Sequence, residues 1–227
     1  MKRVRFGVVG CGGMGKSHMN GIKDPANRGV TLTALADVHT EGARAAGEQF
    51  DVPYFTDPQA LFDSGLCDAV LIAAPHYWHA PLTIRAARAK LPVLCEKPLA
   101  ATVGPARAMI AECKKRRVPL GVMFQRRTSS LMKKAKQIVD SGRLGEVYRL
   151  RLICSSWFRS QAYYNKGSWR GTWSGEGGGV LTNQAPHHLD LFQWIGGVPK
   201  RVHAVLSTRA HNIEVEDTAD ILLEYGD

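Results

Sequence analysis

Val4-Arg5-Phe6-Gly7-Val8-Val9-Gly10-Cys11-Gly12-Gly13-Met14-Gly15 is the stretch that decides the fold. An apolar strand pattern, Val4 to Gly10, runs straight into Gly-x-Gly-x-x-Gly, and a helical pattern from Gly13 to about Asp24 follows. The glycine spacing alone is weak evidence, but a strand before it and a helix after it supply the context its mechanism needs. Gly10 permits the tight turn, Gly12 lets a pyrophosphate approach the backbone, and Gly15 allows the helix to pack closely on the strand. Free N–H groups and the helix dipole then attract phosphate.

Working outward, apolar strands alternate with helical patterns as far as residue 125. Val30–Ala36, Asp68–Ala74, Val93–Glu96 and Leu120–Phe124 read as strands. Glu41–Phe50, Pro81–Lys90 and Val103–Arg117 read as helices. Asp68–Ala74 shows no polar alternation, as expected of a strand covered on both faces. Short connections between these elements predict an α/β fold, a doubly wound parallel sheet over residues 1–125. After Gln125 the texture changes, and residues 126–227 read as an α+β domain with an open, mostly antiparallel sheet. The expected elements are a helix over Ser130–Asp140, a strand over Glu146–Ser155, a helix from about Asn183 to Trp194, and strands over Arg201–Thr208 and Thr218–Tyr225. The sequence stops at Gly226-Asp227 directly after a strand, which suggests an incomplete sheet and a piece of a longer protein.

Composition narrows the class. Hydrophobic content of 44% with 22% charged residues suits a soluble globular chain. The cysteines, at 11, 67, 95, 113 and 154, form no close pairs, which argues for a reducing compartment over disulfides or a zinc site. The apolar run from Phe6 to Cys11 is too short for a signal peptide, and no stretch reaches transmembrane length, so a cytoplasmic location is expected. The net charge of +10 is spread over both halves: 16 basic and 10 acidic residues up to position 120, then 14 and 10. Lys114-Lys115-Arg116-Arg117, the densest cluster, ends a helical pattern, where cations complement the dipole. Nucleic acid and membrane are therefore not expected partners.

Asp37 ends the second strand, 22 residues after Gly15. A carboxylate there accepts hydrogen bonds from an adenosine ribose and repels a 2′-phosphate, and neither Val38 nor His39 is an arginine that would neutralise one. NAD is favoured over NADP. In Ala73-Ala74-Pro75-His76-Tyr77-Trp78-His79, small residues let a cofactor lie against the backbone at Ala74 and Pro75, with His76 and His79 in reach of the nicotinamide side. That histidine pair lacks a third ligand nearby, so no metal is expected.

Lys97, in Val93-Leu94-Cys95-Glu96-Lys97-Pro98, follows a buried strand and precedes proline. It is the candidate acid–base group for hydride chemistry, for which its pKa must fall from about 10.4 to about 7–8. In Gly177-Gly178-Gly179-Val180-Leu181-Thr182-Asn183-Gln184-Ala185-Pro186-His187-His188-Leu189-Asp190, a helix beginning near Asn183 puts Asn183, His187 and Asp190 on one face. An amide, an imidazole and a carboxylate beside flexible glycines suit a polyol, whereas His188 falls off the stripe and reads as structural. Trp157 to Tyr164 and Trp169-Arg170-Gly171-Thr172-Trp173 mix aromatic faces with planar donors, a combination that holds carbohydrates as readily as it packs a core.

These motifs together resemble the Gfo/Idh/MocA oxidoreductase family. The resemblance runs through the glycine fingerprint, Asp37, Pro75 with His79, Glu96-Lys97-Pro98, Trp169-Arg170, and Gly177-Gly178-Gly179 to His187 and Asp190. It implies a Rossmann domain followed by a substrate domain, and NAD exchanging a hydride with a hydroxyl-bearing carbon of a sugar, sugar acid or cyclitol. Lys97 and His187 would then act in proton transfer and substrate alignment, with the Lys97-Pro98 bond cis. Cofactor contacts are expected from Gly10, Gly12, Gly13, Met14 and Gly15, from Asp37, Ala74, Pro75, His76 and His79, and from Glu96, Lys97 and Gln125. Substrate contacts are expected from Asn183 and Asp190, from Tyr163, Tyr164, Trp169 and Arg170, and from Arg126. Two features depart from the family pattern. Asn183 stands where aspartate is frequent and cannot take a proton, and the second domain is short. A full-length chain would be expected to form a homo-oligomer through its second sheet. Two alternatives stay open, a redox-neutral glycoside-cleaving enzyme and an NAD-responsive regulator without catalysis.

Overall fold

The structure is a computed structural model that describes residues 3–155, 158–167 and 169–226. It divides into two compact units, Met1–Met123 and Phe124–Asp227.

In the first unit, strands β1 (Val4–Val9), β2 (Val30–Ala36), β3 (Tyr54–Phe55), β4 (Ala69–Ile72), β5 (Val93–Cys95) and β6 (Leu120–Val122) form one sheet ordered β3-β2-β1-β4-β5-β6. All its pairings are parallel. Helices α1 (Gly13–Lys23) and α2 (Thr40–Phe50) bury Met19, Ala43, Ala46 and Phe50 against Val8, Leu35 and Leu71. Helices α3 (Pro58–Asp63), α4 (His76–Arg88) and α5 (Val103–Arg116) bury Leu61, Phe62, Ala86 and Met109 against Val9, Val70 and Ile72. Successive strand residues thus feed opposite cores, as a pleated strand covered on both faces must. All four residues of β4 are buried. Each large aliphatic side chain sealed in this way stabilises the unit by about 1.5–3 kcal/mol before entropic costs.

The expected boundaries in this unit mostly hold, with three differences. β3 and α3 carry no long apolar pattern; their signal was Asp57-Pro58, where Asp57 caps the amide of Gln59 and Pro58 opens the helix. β4 and β6 are shorter than read. Helix α4 begins at His76, five residues before the expected start, with Pro75 as its N-cap and Pro81 inside it. Pro81 has no N–H for the fourth carbonyl back, but one missing bond does not stop a helix whose other face is sealed in the core.

In the second unit, a 3-10 turn (Gln125–Thr128) leads into α6 (Ser130–Asp140), α7 (Gln161–Asn165), α8 (Val180–Asn183), α9 (Pro186–Gly196) and the antiparallel pair β7 (Arg201–Ser207) and β8 (Thr218–Glu224). The strand expected over Glu146–Ser155 is not formed; these residues run as exposed coil. Period-two alternation makes a strand only where a neighbouring strand shares its hydrogen bonds, and among the described residues none pairs with this segment. The single helix expected from Asn183 is broken as well. Pro186 starts α9 at its first position, leaving α8 as a separate turn that ends at Asn183.

The connection from β7 to β8 is organised by Asp217, whose carboxylate accepts the N–H groups of Arg209, Ala210 and His211 at 2.8–3.0 Å. His211 also meets it through Nδ1 at 3.0 Å, and both side chains are buried. Burial alone would push this carboxyl up; the donors at Arg209, Ala210, Thr218 and His211 outweigh it and hold it well below the usual carboxylate range. A carboxyl with a depressed native pKa adds stability above its unfolded value of about 3.9, and that stability is lost as pH falls through the native value. Asp217→Asn is expected to cost about 1–3 kcal/mol at pH 7 in urea unfolding and to flatten the loss of stability below about pH 4. An unchanged urea midpoint would contradict this reading of the connection.

Candidate functional site

Three neighbouring strands of the first unit end in one row. Val9 pairs with Ile72, and Ile72 with Cys95, so Gly10, Ala73 and Glu96 leave the sheet side by side at its carboxyl edge. This is the edge where open parallel sheets bind ligands, and the crevice lies where the crossovers change direction, between β1 and β4.

The glycine loop fits a pyrophosphate. Gly10 has φ +97°, and a Cβ there would stand 2.5 Å from the Ala73 carbonyl oxygen. A Cβ on Gly15 would stand 1.8 Å from the Gly10 oxygen, whereas one on Gly12 would meet no protein atom within 4 Å. Gly10 and Gly15 are thus demanded by the fold, and Gly12 faces open space. Helix α1 has no side-chain cap and no acidic residue in its first turn, which leaves its first N–H groups, at Gly13 and Met14 among others, for an anion. Asp37 braces the loop from the end of β2, its Oδ2 accepting the Cys11 amide at 2.7 Å and its Oδ1 that of His39 at 2.9 Å. Burial, with Asp37 beside it, pushes the Cys11 thiol up to about 12, so it stays neutral.

Lys97 follows β5 directly, and its bond to Pro98 is cis, as the family resemblance implied. Glu96 is enclosed beneath it. It is 6% exposed, with Oε1 accepting His18 Nε2–H at 2.6 Å and Oε2 accepting the Lys97 amide at 3.0 Å. Burial raises its pKa, but His18 and the Lys97 amide outweigh that and keep the carboxyl below its ordinary value. His79 is turned inward too, its ring nitrogens 2.7 Å from the Pro98 oxygen and 2.8 Å from the Ala74 oxygen. Burial pushes it below the usual imidazole range, against the pull of those two carbonyls. His76 is buried beside it, ring centroids 5.8 Å apart. Of the expected cofactor contacts, Glu96 and His79 bond to the backbone at Lys97, Pro98 and Ala74, and His76 is buried beside His79. Buried polar side chains are held by such hydrogen bonds.

In the second unit the glycine run is fixed by two buried carboxylates. Glu216 accepts the amides of Gly179 and Leu181 at 3.0 and 3.1 Å, and a Cβ on Gly179 would lie 1.8 Å from the Glu216 carbonyl oxygen. Glu176, 1% exposed, accepts the Gly171 amide at 2.7 Å and the side-chain amide of Asn183. His187 and Asp190 stand three apart on α9, off the helix of Asn183, and the Phe124 ring meets His187 edge-on at 6.1 Å. Asp190 is gripped by both ends of the Arg127 guanidinium, at 2.7 and 2.5 Å, and Arg127 lies over Trp194. Its carboxylate is engaged in an ion pair with Arg127.

Arg126 donates to His188 Nε2 at 2.8 Å, and Cys154 Sγ lies 3.2 Å from the other ring nitrogen. The backbone oxygen of Gln125 accepts the Thr128 hydroxyl. In the aromatic loop, Arg170 stacks between Trp169 at 4.2 Å and Tyr163 at 4.7 Å. Tyr164 is buried against His211 at 4.9 Å, and burial raises its phenol pKa. Trp173 stays 55% exposed, and Trp157 lies outside the described residues. Sequence reasoning missed His18, Glu176, Glu216 and Arg127. His18, three residues beyond Gly15, and Glu176, flanked by glycines, were the only faint signals.

Six parallel strands in the order β3-β2-β1-β4-β5-β6, with a glycine loop after β1, define a dinucleotide-binding Rossmann unit, followed here by an α+β unit. Residues 4–124 match the oxidoreductase family with NAD-binding Rossmann fold, GFO/IDH/MocA, and residues 132–227 match its C-terminal domain. The chain belongs to the GFO/IDH/MocA family. It is 30% identical to a myo-inositol 2-dehydrogenase of Thermotoga maritima over 98% of this chain and 65% of that protein. It is 28% identical to a D-apiose dehydrogenase of Rhizobium rhizogenes over 99% and 63%. The chain thus spans just under two thirds of these relatives. Among solved structures, the WlbA dehydrogenase of Bordetella pertussis, in complex with NADH and UDP-GlcNAcA, superposes with a TM-score of 0.89 at 31% identity, covering 99% of this chain and 68% of that one. Among the described residues no helix is long and apolar enough to cross a membrane.

Proposed function

We propose that this chain carries out NAD-dependent transfer of a hydride between nicotinamide and a hydroxyl-bearing carbon of a sugar, sugar acid or cyclitol. The observation that carries the reading is the row Val9–Ile72–Cys95. It brings the glycine loop, the Ala74-Pro75 turn and Lys97 out of one sheet edge side by side. The cofactor, when bound, accepts or supplies the hydride. Gly12 and the first amides of α1 hold its pyrophosphate, and Asp37, each oxygen keeping a second lone pair beside its backbone donor, accepts from the adenosine ribose and disfavours a 2′-phosphate. Lys97 takes the hydroxyl proton as the carbon is oxidised and returns it in the reverse direction. His187, Asn183 and Asp190 are assigned to substrate alignment, a role that the family resemblance supports. Arg126, Tyr163, Trp169 and Arg170 discriminate among substrates by planar donors and ring faces.

The relatives named as inositol 2-dehydrogenase and D-apiose dehydrogenase support the substrate class. We place the protein in the cytoplasm, a reducing setting in which its free cysteines, four of them buried, need no partners. Val202, Val205 and Leu222, exposed on β7 and β8, suit a homo-oligomer formed through that sheet. The even spread of basic residues over both halves of the chain supports a reading without a nucleic-acid partner. The test is a panel of sugars, sugar acids and cyclitols with NAD, followed by NADH fluorescence. Turnover on at least one polyol, weaker by about tenfold or more with NADP, is expected. Bound NAD with no net NADH from any compound would overturn the reading in favour of a redox-neutral enzyme or a regulator.

A further inference from the structure

The mechanism uses Lys97 but leaves unexplained why a carboxylate and an imidazole are buried beneath it. Glu96 is 6% exposed and bonded on both oxygens, once to the backbone of Lys97 and once to His18. His18 stands on α1, the helix that opens at the glycine loop, in a sequence 78 residues away from Glu96. Burying a carboxylate is costly unless it is paired and hydrogen-bonded, and a hydrophobic pair would seal this gap as well. What the polar pair adds is direction. An ionised carboxylate with a single imidazole donor on one side and a single amide on the other fixes the distance between α1 and the Lys97 peptide. The far side of the same dipeptide is held by His79, which spans the Pro98 and Ala74 carbonyls.

We propose that His18 and Glu96 are positioning residues. They set the Lys97 backbone against α1, so that the phosphate-binding helix and the acid–base lysine move as one body. The inference rests on the proposed hydride-transfer reading and adds to it two residues that act through the Lys97 backbone. A misplacement of about 1 Å in an acid–base group costs on the order of 10²-fold in rate, which sets the scale of the effect.

The test compares His18→Leu, His18→Gln and the unchanged chain, with three measurements on each. Hydrogen–deuterium exchange of the peptide spanning residues 93–100 reads the Lys97 amide directly and requires no cofactor. NADH binding by fluorescence reads the glycine loop. Steady-state kinetics on a substrate from the panel read kcat and KM separately. His18→Leu is expected to speed exchange in that peptide alone and to lower kcat by about 10–100-fold, with NADH affinity changed by less than about threefold. His18→Gln, whose amide can donate to Glu96, is expected to recover most of both losses at an unchanged melting temperature.

Unaltered exchange and kcat in His18→Leu would overturn the proposal. So would losses shared equally by His18→Gln with a lowered melting temperature, because they would mark a purely structural histidine. The two readings fail separately. If the unchanged chain binds no NADH and turns over nothing, the functional reading falls and the positioning role with it, while the exchange arm still reports whether His18 holds the Lys97 amide. If the unchanged chain is active and His18→Leu matches it, only the positioning role is lost.

Discussion

Lys97→Ala is expected to lower kcat by about 10²–10⁴-fold, the usual contribution of a positioned acid–base group, while NADH still binds within about twofold of its original affinity. The separation follows from where Lys97 stands. It leaves the sheet after Cys95, beyond the last strand pair. The amide that Glu96 accepts belongs to the backbone and survives in alanine. Removing the amine therefore removes the proposed proton acceptor while this backbone bond is kept. Single-turnover kinetics together with fluorescence titration of NADH check the claim. Turnover within threefold of the original would remove Lys97 from the chemistry and assign the proton transfer to another group.

The second large effect separates two glycines of one motif. Gly15→Ala drives a methyl group to 1.8 Å from the Gly10 carbonyl oxygen, a backbone atom that cannot rotate away. It is expected to destabilise the chain by about 3–5 kcal/mol and to abolish NADH binding with it, in the upper range for single substitutions. Gly12→Ala meets no protein atom within 4 Å and needs no unusual φ, so its stability should stay within about 0.5 kcal/mol of the original. Its new methyl group nevertheless occupies the space through which a pyrophosphate approaches the backbone, and NADH affinity should fall at least about tenfold. Urea unfolding and NADH titration on both variants decide the matter. A Gly12→Ala protein that binds NADH normally would show that the phosphates do not rest there.

Much of the first unit was legible because its signals are local. A glycine loop needs its neighbouring strand and helix, and an apolar run covered on both faces names a central strand. What escaped was short or hidden in tertiary contacts. β3 is two residues long, and α4 runs through Pro81 because packing outweighs one lost hydrogen bond. In the second unit, alternation over residues 146–155 was a true period without a partner edge, and Pro186 cut the polar stripe in two. The candidate site was read as residue types, and those types are present where the motifs put them. Their directions were not readable. Glu96, His79 and Asp190 are polar residues in the right segments that serve as internal braces, and their partners His18, Pro98 and Arg127 lie from 19 to 78 positions away in the chain. A sequence pattern shows which groups are available; burial decides which of them are spent on the scaffold.

Asp37 shows the same distinction within one side chain. Each of its oxygens accepts a backbone amide, one that of Cys11 and one that of His39. Asparagine would offer one oxygen for two donors, and a basic residue none. A substitution that makes room for a 2′-phosphate therefore also takes acceptors from the loop, so that cofactor preference and loop order are tied to one carboxylate.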